Sequence, residues 1–229
     1  MTKVVKVGGV LLENPKKTVE EIRRVTDRRT AIVHGGGIQI TRMLERMNVK
    51  STFIEGLRVT DENTLAAVAA ALLGEVHSAL INELCRQGLP AVGMFGTVHA
   101  SKKSGPWGLV GTNLQADAGA LNAVLNAGHL PVIPTLAIGD DSLLNVNGDE
   151  TAAAVALALQ CNELVFLTDV EGVKNGDGTV IDRSCRPDEL LNARFVSGGM
   201  IPKLRAVKAA MDGGVVLVRV GRTVFGASS

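Results

Sequence analysis

The sequence predicts an α/β sandwich built on a mainly parallel sheet, and three observations carry that reading. Short β-rich runs alternate with helical patterns along the chain. One such run empties through Gly35-Gly36-Gly37 of VHGGGIQI directly into a helical pattern. The first run, VVKV, ends in a second glycine pair, Gly8-Gly9. Strands of a parallel sheet bring their carboxyl ends to one edge, so the two glycine turns are expected side by side there.

The elements follow in order. Val4 to Val7 is the first strand, and Asn14-Pro15 supplies a helix cap with proline in the first turn, leading into KKTVEEIRRV. AIV ends a second strand at Val33, after which Ile40, Met43, Leu44 and Met47 recur at helical spacing. Thr60 is placed to cap a long helix whose apolar stripe is Leu65, Val68, Leu72, Val76, Leu80 and Leu84. Gly74 inside it either lowers local stability or marks close packing. LPAVGMF is the next strand, Trp107 to Val110 belongs to a glycine-bounded hairpin, and Ala118 to Leu125 is helical. LPVIPTL is a strand whose prolines point to a sheet edge or an early end. LLNV is a further short strand, and Asp149 begins an alanine-rich helix. The strand ELVFLTD runs into DVEGVKNGDGTV, a loop rich in Gly, Asn and Asp. A short helix after Pro187, the helix KLRAVKAAM behind SGGMIP, and VVLVRV as the last strand complete the chain. A boundary near Cys161 divides residues 1–160 from 161–229. With no repeat or flexible linker, these are two lobes sharing one sheet.

Composition excludes several function classes. A formal net charge of +1, with basic residues dispersed, gives no electrostatic case for nucleic acid or an acidic membrane. Aromatic content of 3% with no tyrosine leaves no stacking platform for single strands. LAAVAAALLG and TAAAVALALQ are each too short to cross a membrane, and Lys3 and Lys6 interrupt the only apolar run near the start. Cys85, Cys161 and Cys185 form no CxxC pair, which favours a reducing cytoplasm and structural thiols.

The glycine turns are the chemical signal. A strand emptying through glycines into a helix exposes backbone N–H groups at the positive helix end, where an anion can approach. A tight turn without ligand would explain one such turn; two on one edge favour an anion-binding cleft. There is no GxxxxGK[ST] and no GxGxxG, and no GxSxG accompanies His34-Gly35-Gly36-Gly37. The four histidines are scattered, without HExxH or a clustered carboxylate partner for zinc or iron. Lys6 lies inside an apolar strand beside its glycine turn, and Lys203 lies in the first turn of a helix, where the helix field repels a cation. Each is either a solvated lysine or a cation held for an anion. Asp149 is either a favourable first-turn acid or a carboxylate that holds the two lysines together. Arg58 of EGLRVTD offers a planar fork for a carboxylate, or is a surface arginine.

With these residues assembled, the chain resembles the amino acid kinase family, and within it the branch that phosphorylates N-acetyl-L-glutamate. The matching stretches are VVKVGG, VHGGGIQI, EGLRVTDENTL, GLVG, NVNGDETAAAVALAL, LVFLTDVEGV and SGGMIPKLRAV, in family order over nearly the whole chain. The resemblance implies a three-layer αβα sandwich with an amino-terminal lobe for the acylated amino acid, a carboxy-terminal lobe for ATP, and a homodimer. It implies that Lys6 and Lys203 stabilise the transferred phosphoryl group and that Asp149 organises both. Gly8, Gly9, Gly36 and Gly37 would lend backbone amides to phosphate oxygens. Arg58 would grip the substrate α-carboxylate, Asn145 would orient its other polar groups, and the loop from Thr168 through Asp169 and Gly172 to Val173 would lie by the nucleotide. The implied reaction is phosphoryl transfer from MgATP to the side-chain carboxylate, in the cytoplasm, as a step of arginine biosynthesis.

The sequence departs from the family pattern in places. It stops at GRTVFGASS, where members continue through a further glycine-rich turn, so a shortened nucleotide lobe is expected. His99 to Pro106 reads as a trimmed substrate flap, and AVGMFG replaces an AVGLSG-like run. Starting directly at the first strand, the chain is expected to show little direct sensitivity to arginine. Rival readings are a kinase for carrier-protein-linked aminoadipate or glutamate, for which only Lys102 and Lys103 offer flap cations, and a non-catalytic amino-acid or nucleotide sensor. A carbamate kinase-like enzyme is disfavoured by EGLRVTD.

Overall fold

The computed structural model describes residues 1–184 and 187–226. Cys185 therefore lies outside the described residues. The chain forms β1 (Lys3–Val7), α1 (Pro15–Val25), β2 (Thr30–His34), α2 (Gly37–Arg46) and the hairpin β3 (Phe53–Ile54) and β4 (Leu57–Arg58). Next come α3 (Glu62–Ala69), a π-helical segment (Ala70–His77) and α4 (Ser78–Arg86) as one continuous rod, then β5 (Ala91–Gly93), β6 (Val98–Lys102), β7 (Gly111–Ala116) and α5 (Ala118–Asn126). β8 (Leu130–Pro134), β9 (Leu136–Ile138), β10 (Leu143–Asn145), α6 (Gly148–Ala158) and β11 (Glu163–Leu167) follow. The described chain closes with β12 (Arg183–Ser184), α7 (Pro187–Leu191), α8 (Met200–Asp212), β13 (Leu217–Val220) and β14 (Thr223–Phe225).

One eight-stranded sheet, in the order β12-β14-β13-β11-β1-β2-β8-β5, runs through both halves of the chain. All its pairings are parallel except β13 with β14. A four-stranded sheet, β10-β9-β6-β7, lies beside it. Alternation along each strand sorts the core into two layers. Val4, Ala31, Val33, Ile133, Leu164 and Phe166 face the helices carrying Leu121, Ala152 and Leu204. Val5, Val7, Ile32, Val132 and Val165 face Val19, Ile22, Val76, Leu80 and Leu84. The same parity puts Lys6 on the Val4 face of β1, toward α6.

Two expectations need correction, and two open alternatives are decided. Asp61, not Thr60, caps α3, its carboxylate accepting from Thr64 N at 2.7 Å. Gly74 marks no close packing, since a Cβ there would meet nothing within 4 Å. β8 is interior, lying between β2 and β5, although it does end at Pro134. Its prolines are tolerated because the missing N–H groups fall outside the ladders: pairing with β2 begins at Val132, after Pro131, and pairing with β5 ends at Val132, before Pro134. Finally, Thr223–Phe225 of the terminal run forms β14, beyond VVLVRV, the last strand expected from the sequence.

The rod Glu62–Arg86 is long and apolar enough to cross a membrane by length and composition. Its stripe of Val68, Leu72, Val76, Leu80 and Leu84 is instead packed into the core. Those residues repeat every four positions, which on a 3.6-residue turn drifts around the helix. The π-helical segment, wider per turn, brings the stripe back toward the sheet.

Candidate active site

The two glycine turns meet at the carboxyl edge of the sheet. Gly9 approaches so closely that a Cβ on it would lie 2.9 Å from Gly37 N, and a Cβ on Gly36 would lie 2.9 Å from Leu72 Cδ2. Glycine is thus required at position 9 by backbone packing, while at position 36 a larger residue would have to displace the Leu72 side chain. Beside Gly37 a Cβ meets nothing within 4 Å, because the open space is the cavity itself. Among the described residues, no hydrogen bond uses the amides of Gly9 or Gly36, and Gly37 begins α2, where an N–H has no intrahelical partner. Gly8 departs from the expectation, since its N–H donates to Leu167 O at 3.1 Å and serves the sheet.

The turns border a cavity of about 220 Å³ that also holds Lys6, Arg58 and Asn145. Arg58 is buried, its guanidinium donating to Thr41 Oγ1 at 3.0 Å and to Ser51 Oγ, and lying 4.6 Å from the Phe53 ring centre. Asn145 Nδ2 donates to Thr60 Oγ1 at 3.0 Å. That bond is the role of Thr60 the sequence did not reveal.

NVNGD turns the chain from β10 into α6, and four of its residues have separate tasks. Asn145 faces the cavity, and Asn147 caps α6 by accepting from the N–H groups of Asp149 and Glu150 at 2.8 and 3.1 Å. Gly148 makes room for the stem of Lys6, whose Cε would lie 3.2 Å from a Cβ there. Asp149 then meets both lysines. Lys6 Nζ lies 2.8 Å from Oδ1, and Lys203 Nζ lies 3.1 Å from both carboxylate oxygens. Lys203 also sits 5.0 Å from the Phe166 ring centre.

The electrostatics of this triad are one-sided. Burial pushes the Asp149 carboxyl up, but the two lysines together outweigh it and hold the group below the usual aspartate range. Burial, followed by the Lys6 charge, pulls Lys203 below the ordinary lysine value despite Asp149. The two directions agree because a single carboxylate serves two ammonium groups. The cluster carries net positive charge and is completed by an added anion.

A second cavity of about 530 Å³ lies at the N-terminal end of α8, lined by Asp169, Gly172, Phe195 and Met200 among others. Asp169 acts electrostatically on Lys203, so this space adjoins the triad. Gly172 is buried, a Cβ there falling 2.7 Å from Val180 Cγ1. Thr168 is not among the lining residues; its hydroxyl pairs with Asp169 Oδ1 at 3.3 Å. Cys161, whose thiol is pushed up to about 12 mainly by burial, is no nucleophile at neutral pH.

An α/β sheet with paired glycine turns and a lysine–aspartate–lysine cluster at its carboxyl edge defines an anion-handling protein of the three-layer class. The chain belongs to the amino acid kinase family, with residues 1–222 matching. It is 41% identical over 235 residues to the acetylglutamate kinase of Acidobacterium capsulatum, covering 96% of this chain and 90% of that one. It is 39% identical to the acetylglutamate kinase of Methanopyrus kandleri, covering 92% and 91%. The crystal structure of smu.665 from Streptococcus mutans UA159 superposes with a TM-score of 0.84 at 27% identity over 99% of both chains.

Proposed function

We infer that the protein transfers the γ-phosphoryl group of ATP to the side-chain carboxylate of N-acetyl-L-glutamate, giving an acyl phosphate and ADP. The observation that carries this reading is the bridging of Lys6 and Lys203 by Asp149 beside the free amides of Gly9, Gly36 and Gly37. A carboxylate acceptor is ionised at neutral pH, so no general base is needed. The remaining task is to hold two anions in line and neutralise the charge spread over the transferring group. Lys6, Lys203 and the glycine amides supply that positive field, and Asp149 keeps the ammonium groups from splaying. Arg58 grips the α-carboxylate, and Asn145, steadied by Thr60, orients the rest of the substrate.

The first lobe, residues 1–160, supplies the acceptor site, and 161–229 the nucleotide site before the N-terminal end of α8, with Asp169 and Gly172 on its wall. Among the described residues, no group of three His, Cys, Asp or Glu side chains is gathered for a metal. Mg²⁺ would enter on the nucleotide phosphates, neutralising part of their charge. The same reading places the protein in the cytoplasm as a homodimer in arginine biosynthesis.

An assay trapping the acyl phosphate as a hydroxamate tests the reading, with Lys6→Ala and Lys203→Ala as controls. ATP-dependent product from N-acetylglutamate, lost in both variants, is expected; nucleotide binding without product from any candidate acid would leave a sensor. A second reading draws on Lys103, whose ammonium lies 4.4 Å from the Trp107 ring centre and which, with Arg205, lines a cavity of about 670 Å³ between the β3–β4 tip and α8. Glu55 and Glu150 share that lining, so its charge is mixed, and it is the width of the cavity beside Lys103 that would suit a carrier-linked substrate. Turnover of a carrier-linked substrate faster by orders of magnitude would favour it.

The lowered Lys203 value sets the pH dependence. A lysine with a depressed pKa loses its proton at lower pH than an exposed one. kcat/KM for ATP, which reports the free enzyme, therefore falls on the alkaline side before an ordinary lysine would titrate. The limb in kcat lies higher, because bound phosphate favours the ammonium. Coincident limbs at the ordinary lysine pH would contradict this balance.

A further inference from the structure

Two buried histidines stand outside the chemistry described so far. His34, the last residue of β2, is fully buried between Val7 of β1 and Pro134 of β8. Its Nδ1 lies 2.9 Å from the Gly35 carbonyl oxygen, and its Nε2 lies 2.8 Å from Nδ1 of His77. His77 ends the π-helical segment, where it and its neighbour Val76 are both buried. Its ring lies against Gly93 of β5, where a Cβ would fall 2.6 Å from Nε2. Neither histidine lines the cavity.

The proton positions follow from the partners. Burial, the largest influence, brings His34 down to about 3 and lowers His77 as well, so both rings are neutral at neutral pH. A neutral imidazole carries one N–H. The Gly35 carbonyl can only accept, so His34 bears its proton on Nδ1 and accepts at Nε2. His77 must then donate from its own Nδ1. The hydrogen bonds run one way, from His77 to His34 to the Gly35 oxygen.

That direction reaches the glycine turn through the peptide plane. The Gly35–Gly36 bond is trans, so the Gly35 carbonyl and the Gly36 N–H point opposite ways. Drawing the oxygen toward His34 turns the Gly36 amide away from it, while Gly35, Gly36 and Gly37 together line the cavity. Glycine on both sides of this peptide leaves little intrinsic resistance to rotation.

We propose that His77 is a positioning residue for phosphoryl transfer, acting through His34 to lock the Gly35–Gly36 peptide so that the Gly36 amide faces the bound anion. The role rests on the kinase reading above, and two measurements separate their fates. In protein labelled with ¹⁵N-histidine, long-range ¹⁵N–¹H correlation spectra at neutral pH should show His34 and His77 both protonated at Nδ1. Either ring protonated only at Nε2 overturns the proposal, whatever the activity.

His77→Leu removes the donor, and kcat is expected to fall about tenfold to a hundredfold, with KM for ATP changed by no more than about threefold. His77→Asn, which retains a side-chain N–H donor, should recover most of kcat. Wild-type kcat in His77→Leu, or a loss that Asn does not relieve, overturns the role. If His77→Leu does not fold, the tautomers and His77→Asn decide. Parent enzyme with Nδ1 tautomers but no phosphoryl transfer would instead remove the kinase reading.

Discussion

Replacing Asp149 by Asn should destabilise the fold and nearly silence the enzyme together. The substitution keeps the shape but leaves Lys6 and Lys203, whose side chains are only 13% and 10% exposed, facing each other without a countercharge. Removing one partner of a buried ion pair costs about 3–5 kcal/mol, and loss of a preorganised electrostatic element costs about 10²–10³ in kcat. Urea unfolding and steady-state kinetics measure the two effects. Because the folded pKa of Asp149 is depressed, its stabilisation is present above the ordinary aspartate pKa and is lost as pH falls through the folded value. The stability gap between variant and parent should therefore close in acid. An Asp149→Asn enzyme of parental stability and rate would refute the clamp.

Gly9→Ala is the second large effect. Its added Cβ would fall 2.9 Å from Gly37 N, a backbone atom, so one glycine turn must yield. Overpacking of this kind costs about 1–3 kcal/mol, and displacing the amides by about 1 Å costs on the order of a hundredfold in kcat/KM. Gly74→Ala is the control. A Cβ there meets nothing within 4 Å, so stability should change by no more than about 1 kcal/mol, with activity intact. Equal losses in both variants would mean that the effect comes from glycine replacement in general and not from the meeting of the turns.

Lys6 illustrates how far a sequence can be read. Alternation in VVKVGG puts residue 6 on the face opposite Val5 and Val7, and helical spacing puts Asp149 in the first turn of α6. Neither pattern states that the Val4 face of β1 looks at α6, which depends on how helices distribute over a sheet. The resemblance linked Lys6, Asp149 and Lys203, and the structure brings them within hydrogen-bonding distance. Gly8 shows the opposite case. It looks like its neighbour in sequence, yet its amide is taken by Leu167, a residue of β11 whose adjacency to β1 is a matter of strand order.

The misses share a cause. Pro131 and Pro134 read as edge signals, because a missing N–H damages a ladder only where a partner strand reaches it, and where β2 and β5 begin and end relative to β8 is a long-range fact. Thr60 and Asp61 are both fair helix caps locally; Asn145 and Trp107, far along the chain, engage Thr60 and leave Asp61 the cap. The sequence alone determined the alternation of strands and helices, the two glycine turns and the residue types able to hold phosphate. It did so because periodicity and glycine chemistry act over a few neighbouring residues. Only the tertiary structure decided which amides remain free, that one carboxylate serves two lysines, and that His77 reaches His34, because each depends on groups tens of residues apart whose distances are set by sheet order and helix packing.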